Sequence, residues 1–195
     1  AMLYAVHRQV PGIQDFESLI KDGYAYVDKT EFVYKLVSEG RYYFLSRPRR
    51  FGKSLLLSTL EAYFEGKKEL FQGLRISELE TEWESYPILH LDLNAAEYKT
   101  QDSLYDVLDF QVSSWEKNYG INSLKAEIPV RFRNIISRVS EITGKRVVIL
   151  IDEYDKPLLQ TIDNPDLQEN YRKTLKAFYG NLKSCDEYIR FAFFT

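Results

Sequence analysis

The sequence predicts an α/β fold in which helices cover both faces of a mostly parallel sheet, a three-layer arrangement, and three observations predict it. Four short apolar runs, at residues 42–45, 88–93, 147–151 and 189–194, have the length and composition of strands. Amphipathic stretches with helical spacing separate them. The third run is continuous in apolar residues, and continuity without alternation signals burial on both faces of a sheet. The chain has 195 residues, 45% hydrophobic and 28% charged, which suffices for a real core.

The elements follow in order. A helix is expected over 30–38, where Asp28 and Glu31 have the spacing of a capping box. The run Tyr42-Tyr43-Phe44-Leu45 is the first strand, and a helix over 55–64 follows the tripeptide Gly52-Lys53-Ser54. Residues 88–93 form the second strand. Leu104, Val107, Leu108, Val112, Trp115 and Tyr119 recur at helical spacing. So do Phe132, Ile135, Ile136, Val139 and Ile142, ahead of a stop at Gly144. Residues 147–151 contain no polar side chain and form the third strand. Asn164-Pro165 opens a helix carrying Leu167, Tyr171, Leu175, Phe178 and Leu182, with proline at its favoured first position. The last strand, 189–194, is rich in phenylalanine. No internal repeat or low-complexity linker interrupts the chain. It reads as one domain over 1–195, with a lead-in and first helix over 1–40 and the sheet with its helices over 41–195. Thr195 falls at a strand end, so a truncated C-terminus is expected.

Composition removes several classes of function. The net charge of -3 gives no overall attraction to nucleic acid or anionic membrane, and Arg47-Pro48-Arg49-Arg50 is the only dense basic patch. No apolar run approaches the roughly 20 residues of a membrane span. Ala1-Met2 resembles an expression scar, not a leader. The single cysteine, Cys185, cannot form an internal disulfide, so a cytoplasmic location is expected and Cys185 reads as a small packed side chain. His7 and His90 have no partners at metal-ligand spacing and read as ordinary surface or core residues.

The chemistry concentrates in two places. The stretch Pro48-Arg49-Arg50-Phe51-Gly52-Lys53-Ser54-Leu55 lies between a strand and a helix, the context of a phosphate-binding loop. Such a loop points successive backbone N–H groups at a phosphate, and the following helix adds its positive end. Gly52 lets the backbone approach closely. Lys53 is expected on the β- and γ-phosphates and Ser54 on magnesium. The general pattern opens with a glycine where this chain has Arg47. The second place is Asp152-Glu153, at the carboxyl end of the apolar third strand, where ligands of parallel sheets bind. Asp152 is expected to hold the magnesium opposite Ser54, and Glu153 to direct the attacking water. Thr195 can sense the γ-phosphate or position water, whereas Tyr154, Asp155 and Lys156 order the turn. Asp155 can pair with Lys53 or an arginine in the absence of nucleotide, and Asn94 is expected as a turn residue at the end of the second strand. The stretch 24–30 either packs near the base or caps its helix.

Four segments together resemble the bacterial AAA-ATPase-like family. They are Gly12-Ile13-Gln14-Asp15-Phe16; Asp22-Gly23-Tyr24-Ala25-Tyr26-Val27-Asp28-Lys29-Thr30; Arg47 through Ser54; and Ile151-Asp152-Glu153-Tyr154-Asp155-Lys156-Pro157. The likeness runs from about Val10 to the end, and in that family Arg-Pro-Arg-Arg-Phe-Gly-Lys-Ser is itself the usual loop. It implies a P-loop NTPase of the additional-strand class, with the strand before Thr195 lying between the loop strand and the Asp-Glu strand. It also implies a further C-terminal part, commonly a helical segment and then a restriction-nuclease-like domain. The expectation is therefore an ATP- and magnesium-dependent ATPase. The alternatives are a nucleotide-operated switch with little hydrolysis, controlling an attached or partner nuclease, and a nucleic-acid contact through Arg47, Arg49 and Arg50.

Overall fold

The computed structural model describes residues 15–46 and 52–195. In chain order the helices and strands are α1 (Phe16–Lys21), α2 (Thr30–Glu39), β1 (Tyr42–Phe44), α3 (Lys53–Phe64), α4 (Ile76–Leu79) and β2 (Ile88–Asp92). Next come α5 (Gln101–Asn118), α6 (Ile128–Thr143), β3 (Val147–Asp152), α7 (Lys156–Leu159), α8 (Pro165–Tyr179), α9 (Asn181–Ser184) and β4 (Ile189–Phe194). The strands form one all-parallel sheet in the order β1-β4-β3-β2. The last strand thus lies between the first and third, as expected.

Side chains alternate across a strand, and β3 divides its own between two cores. Val148 and Leu150 join Phe191 and Phe193 of β4 under α1, α2, α3 and α4. Val147, Ile149 and Ile151 join Ala192 and Phe194 on the other face, under α5, α6 and α8. Each such side chain, fully buried, contributes about 1.5–3 kcal/mol. The third face-to-face element is aromatic: Phe132 of α6 stacks on Phe178 of α8 with centroids 4.1 Å apart.

Local signals explain most helix ends. Asn164 accepts the Leu167 N–H at 3.2 Å, and Pro165 occupies the first position of α8. Gly144 closes α6 at φ 67°, a left-handed conformation that glycine adopts without strain.

Four expectations need correction. Asp28 and Glu31 form no capping box. Instead Asp28 accepts the Thr30 N–H and hydroxyl, at 2.9 and 2.6 Å, and the Arg75 N–H at 2.7 Å, so it ties the start of α2 to the start of α4. Leu182 does not continue the long helix, because α8 ends before Gly180 and Leu182 belongs to α9. Ile142 is half exposed and not part of the buried stripe of α6. Finally, Tyr42 and Phe44 of the first strand are exposed, with Phe44 at 64%, because β1 stands at the sheet edge.

Candidate functional site

The site begins where β1 ends. Leu45 N–H donates to Phe194 O at 2.8 Å, so the chain follows β4 one residue past the strand. Pro48, Arg49, Arg50 and Phe51 lie outside the described residues, as does Arg47. The chain is described again at Gly52, whose φ of 73° and ψ of 22° are left-handed. An added Cβ there would meet nothing within 4 Å, so the glycine answers the backbone conformation and not crowding. Lys53 then opens α3, whose N-terminus has no side-chain cap among the described residues. Its first-turn N–H groups are directed away from the helix without an acid to neutralise them. Lys53, Ser54 and Leu55 are all half-buried. What fixes them is the helix body: Leu57, Leu60 and Phe64 are buried against the sheet.

Asp152 ends β3. Val148 and Leu150 face α3, so alternation puts Asp152 on the same face. Both Asp152 and the start of α3 lie at the carboxyl edge of the sheet, because β1 and β3 run parallel. The fold thus brings Lys53, Ser54 and Asp152 to one face and one edge. Asp152 is also oriented: Thr195 Oγ1 donates to its Oδ1 at 2.7 Å. Thr195 is buried and held in turn, its N–H on Ile151 O at 2.9 Å and its carbonyl on Tyr154 N–H at 3.0 Å. The strand end around the carboxylate is therefore laced to β4 by three hydrogen bonds.

Glu153 takes φ 56°, a left-handed conformation unusual for a residue with a Cβ. That residue ends the strand and turns the chain into α7, with Glu153 O accepting the Lys156 N–H at 3.1 Å. Tyr154 and Lys156 order this turn, as expected. The Tyr154 ring meets Phe44 and Phe194 edge-on. Lys156 Nζ donates to Asn94 O and Oδ1, at 3.0 and 2.9 Å, joining the ends of β2 and β3. Asp155 precedes α7 and makes no ion pair with Lys53 among the described residues.

Sequence reasoning missed two neighbours. Asp92 stands opposite Asp152 in the β2–β3 register, and its carboxylate accepts the Asn94 N–H at 2.8 Å. His90, two residues earlier on the same face, meets Glu61 of α3 at 3.1 Å. The run Ile-Leu-His-Leu-Asp does alternate, which was a signal for a one-sided strand. That Asp92 pairs with Asp152 is long-range, and no local pattern carries it. Burial alone would lower the His90 pKa. The Glu61 hydrogen bond and the negative charges of Glu61, Asp152 and Asp92 outweigh it and raise the value.

The lead-in packs on α3 next to this edge. Phe16 N–H donates to Ser58 Oγ at 2.9 Å, and the Phe16 ring meets Tyr26 edge-on at 5.4 Å. Burial drives the Tyr26 phenol up to about 12. An apolar recess of about 360 Å³ lies elsewhere, beside β1 on the face away from α3, lined by Tyr42, Phe44, Tyr179, Leu182 and Phe194. Its walls carry none of the chemistry described above.

An all-parallel sheet with a glycine-led helix after one strand and an aspartate ending another is consistent with a P-loop-like α/β fold. The chain belongs to the predicted AAA-ATPase family, AAA-ATPase-like, whose profile matches residues 11–195. That membership supports a nucleotide-binding, ATPase-like role. It is also 36% identical over 182 residues to an uncharacterized protein encoded in the vnfD 5′ region of Azotobacter chroococcum mcd 1. The match covers 93% of this chain and 35% of the relative, so the chain spans about a third of that protein's length. No solved structure matches the chain. No described helix is long and apolar enough to cross a membrane.

Proposed function

We propose that this chain binds ATP with magnesium at the edge between α3 and β3 and hydrolyses it, in a P-loop fold of the additional-strand class. The observation that carries the reading is that the uncapped start of α3 and the Thr195-oriented carboxylate of Asp152 share one face and one edge. The strand order β1-β4-β3-β2 supports the class assignment.

The residues fit the ligand. Backbone N–H groups after Gly52 receive phosphate oxygens, and Lys53 supplies a mobile positive charge toward them. Pro48, Arg49, Arg50, Phe51 and Leu55 complete the binding segment, with the arginines adding charge. With Thr195 on Oδ1, Asp152 keeps Oδ2 for a cation or its water, and Ser54 at the start of α3 would add a hydroxyl. No cluster of three or more His, Cys, Asp or Glu among the described residues could cage an ion alone. Magnesium takes one or two protein oxygens and completes its shell with phosphate and water. When bound, magnesium draws charge from the phosphate oxygens. Glu153 accepts a proton from, or orients, the water that attacks.

Calorimetry with a nonhydrolysable ATP analogue and magnesium tests the assignment. Lys53→Ala should weaken binding by at least about 100-fold, close to 2.7 kcal/mol. Equal affinity of variant and parent removes the assignment. Glu153→Gln should bind normally and release no phosphate. A parent that binds yet releases no phosphate instead supports the switch reading, with control of a nuclease partner as its use.

A further inference from the structure

His90 has no part in the reading above, yet it lies on the same face of the sheet as Asp152. On β2 it precedes Asp92 by one repeat of the pleat and shares its face. Its register partner on β3 is Leu150, and Asp152 is the next residue of β3 on that face. Across the interface with α3, Glu61 meets Nδ1 at 3.1 Å. The other ring nitrogen, Nε2, is buried and has no hydrogen-bond partner among the described residues. Nδ1 therefore carries the proton shared with Glu61, and Nε2 is the atom that gains or loses one.

We propose that His90 couples cation-dependent nucleotide binding to pH, its protonated ring opposing the cation at Asp152 and its proton release favouring it. The inference deepens the nucleotide reading and rests on it. Three charged groups act on the ring: Glu61 from α3, which meets it directly, and Asp92 from its own strand and Asp152 from β3 through their charge. All are negative, and together they hold a proton on the ring in spite of burial. A divalent cation beside Asp152 offsets part of that negative field. Proton and cation then disfavour one another, and linkage makes the effect reciprocal.

The sign for the free protein follows from the raised pKa. A proton held more tightly in the folded chain stabilises it fully below the ordinary imidazole value, and that stability fades as pH rises through the folded value. Nucleotide binding with magnesium has the opposite slope and strengthens as pH rises.

The test compares the parent with His90→Gln, which stays neutral and keeps a donor for Glu61. Affinity for a nonhydrolysable ATP analogue with magnesium is measured between about pH 6 and pH 8. Both chains share the titration of the nucleotide's own phosphate. The parent should gain about three- to tenfold more affinity than the variant over this range. The excess should vanish when EDTA replaces magnesium. By NMR, the titration of the His90 ring, assigned by its loss in the variant, should move to lower pH on adding magnesium and analogue. Parallel affinity profiles, with a ring titration that does not move, overturn the proposal while leaving the nucleotide site intact. A parent that binds no nucleotide at any pH overturns the functional reading and this inference with it.

Discussion

β3 and β1 are both parallel strands of one sheet, yet they are held in different ways. β3 is paired on both sides, and Val147 through Ile151 are fully buried. β1 is paired on one side only among the described residues, and two of its three side chains are exposed. Its place is kept by surface anchors: Arg41 donates to Asp186 O and Ile189 O, at 2.7 and 2.6 Å, and the Tyr42 hydroxyl meets Asp186 at 2.5 Å. The acidic half of the candidate site thus rests on a strand paired on both sides and buried along its length up to Asp152. The start of α3, which carries Lys53 and Ser54, takes its position from the buried face of that helix.

Substitutions can break this contrast or sharpen it. The largest effect is expected in the interior: Phe191→Ala, next to β3 and against Phe64 at 5.0 Å, should cost about 3–5 kcal/mol by denaturant unfolding. Thr195→Val keeps the shape of the side chain but leaves the Asp152 oxygen without its donor. It should cost about 1–2 kcal/mol and weaken magnesium-dependent binding, read by calorimetry beside the melt. Phe44→Ala removes a ring stacked on Phe194 at 4.4 Å but mostly open to water. A loss under about 1 kcal/mol is expected there. A cost at Phe44 matching that at Phe191 would erase the contrast between edge and interior.

The same contrast explains what could be read from sequence. β3 was legible because no polar residue interrupts it, and α8 because Asn164-Pro165 is a local cap. The strand before and the helix after Gly52-Lys53-Ser54 were legible too, since each carries its own local apolar pattern. That β1 lies at the edge was not legible, because Tyr42-Tyr43-Phe44 is as apolar as an interior strand and edge position is set by the order of pairing. The placement of β4 between β1 and β3 came through family resemblance, and the sheet agrees. Asp92 and His90 stayed hidden for a physical reason: their meeting with Asp152 and Glu61 joins residues 60 and 29 positions apart, respectively. Asp28 misled because one carboxylate can cap its own helix or tie two helices together, and only packing decides.

The left-handed backbone at Glu153 carries a consequence for evolution in the laboratory. A side chain held at φ 56° costs about 1–2 kcal/mol that glycine would not. Selecting variants of this chain for heat resistance alone should therefore enrich Glu153→Gly, with a gain of about 1 kcal/mol. If the same variant then fails to turn over ATP, the residue is one that natural selection has kept against the thermodynamic gradient.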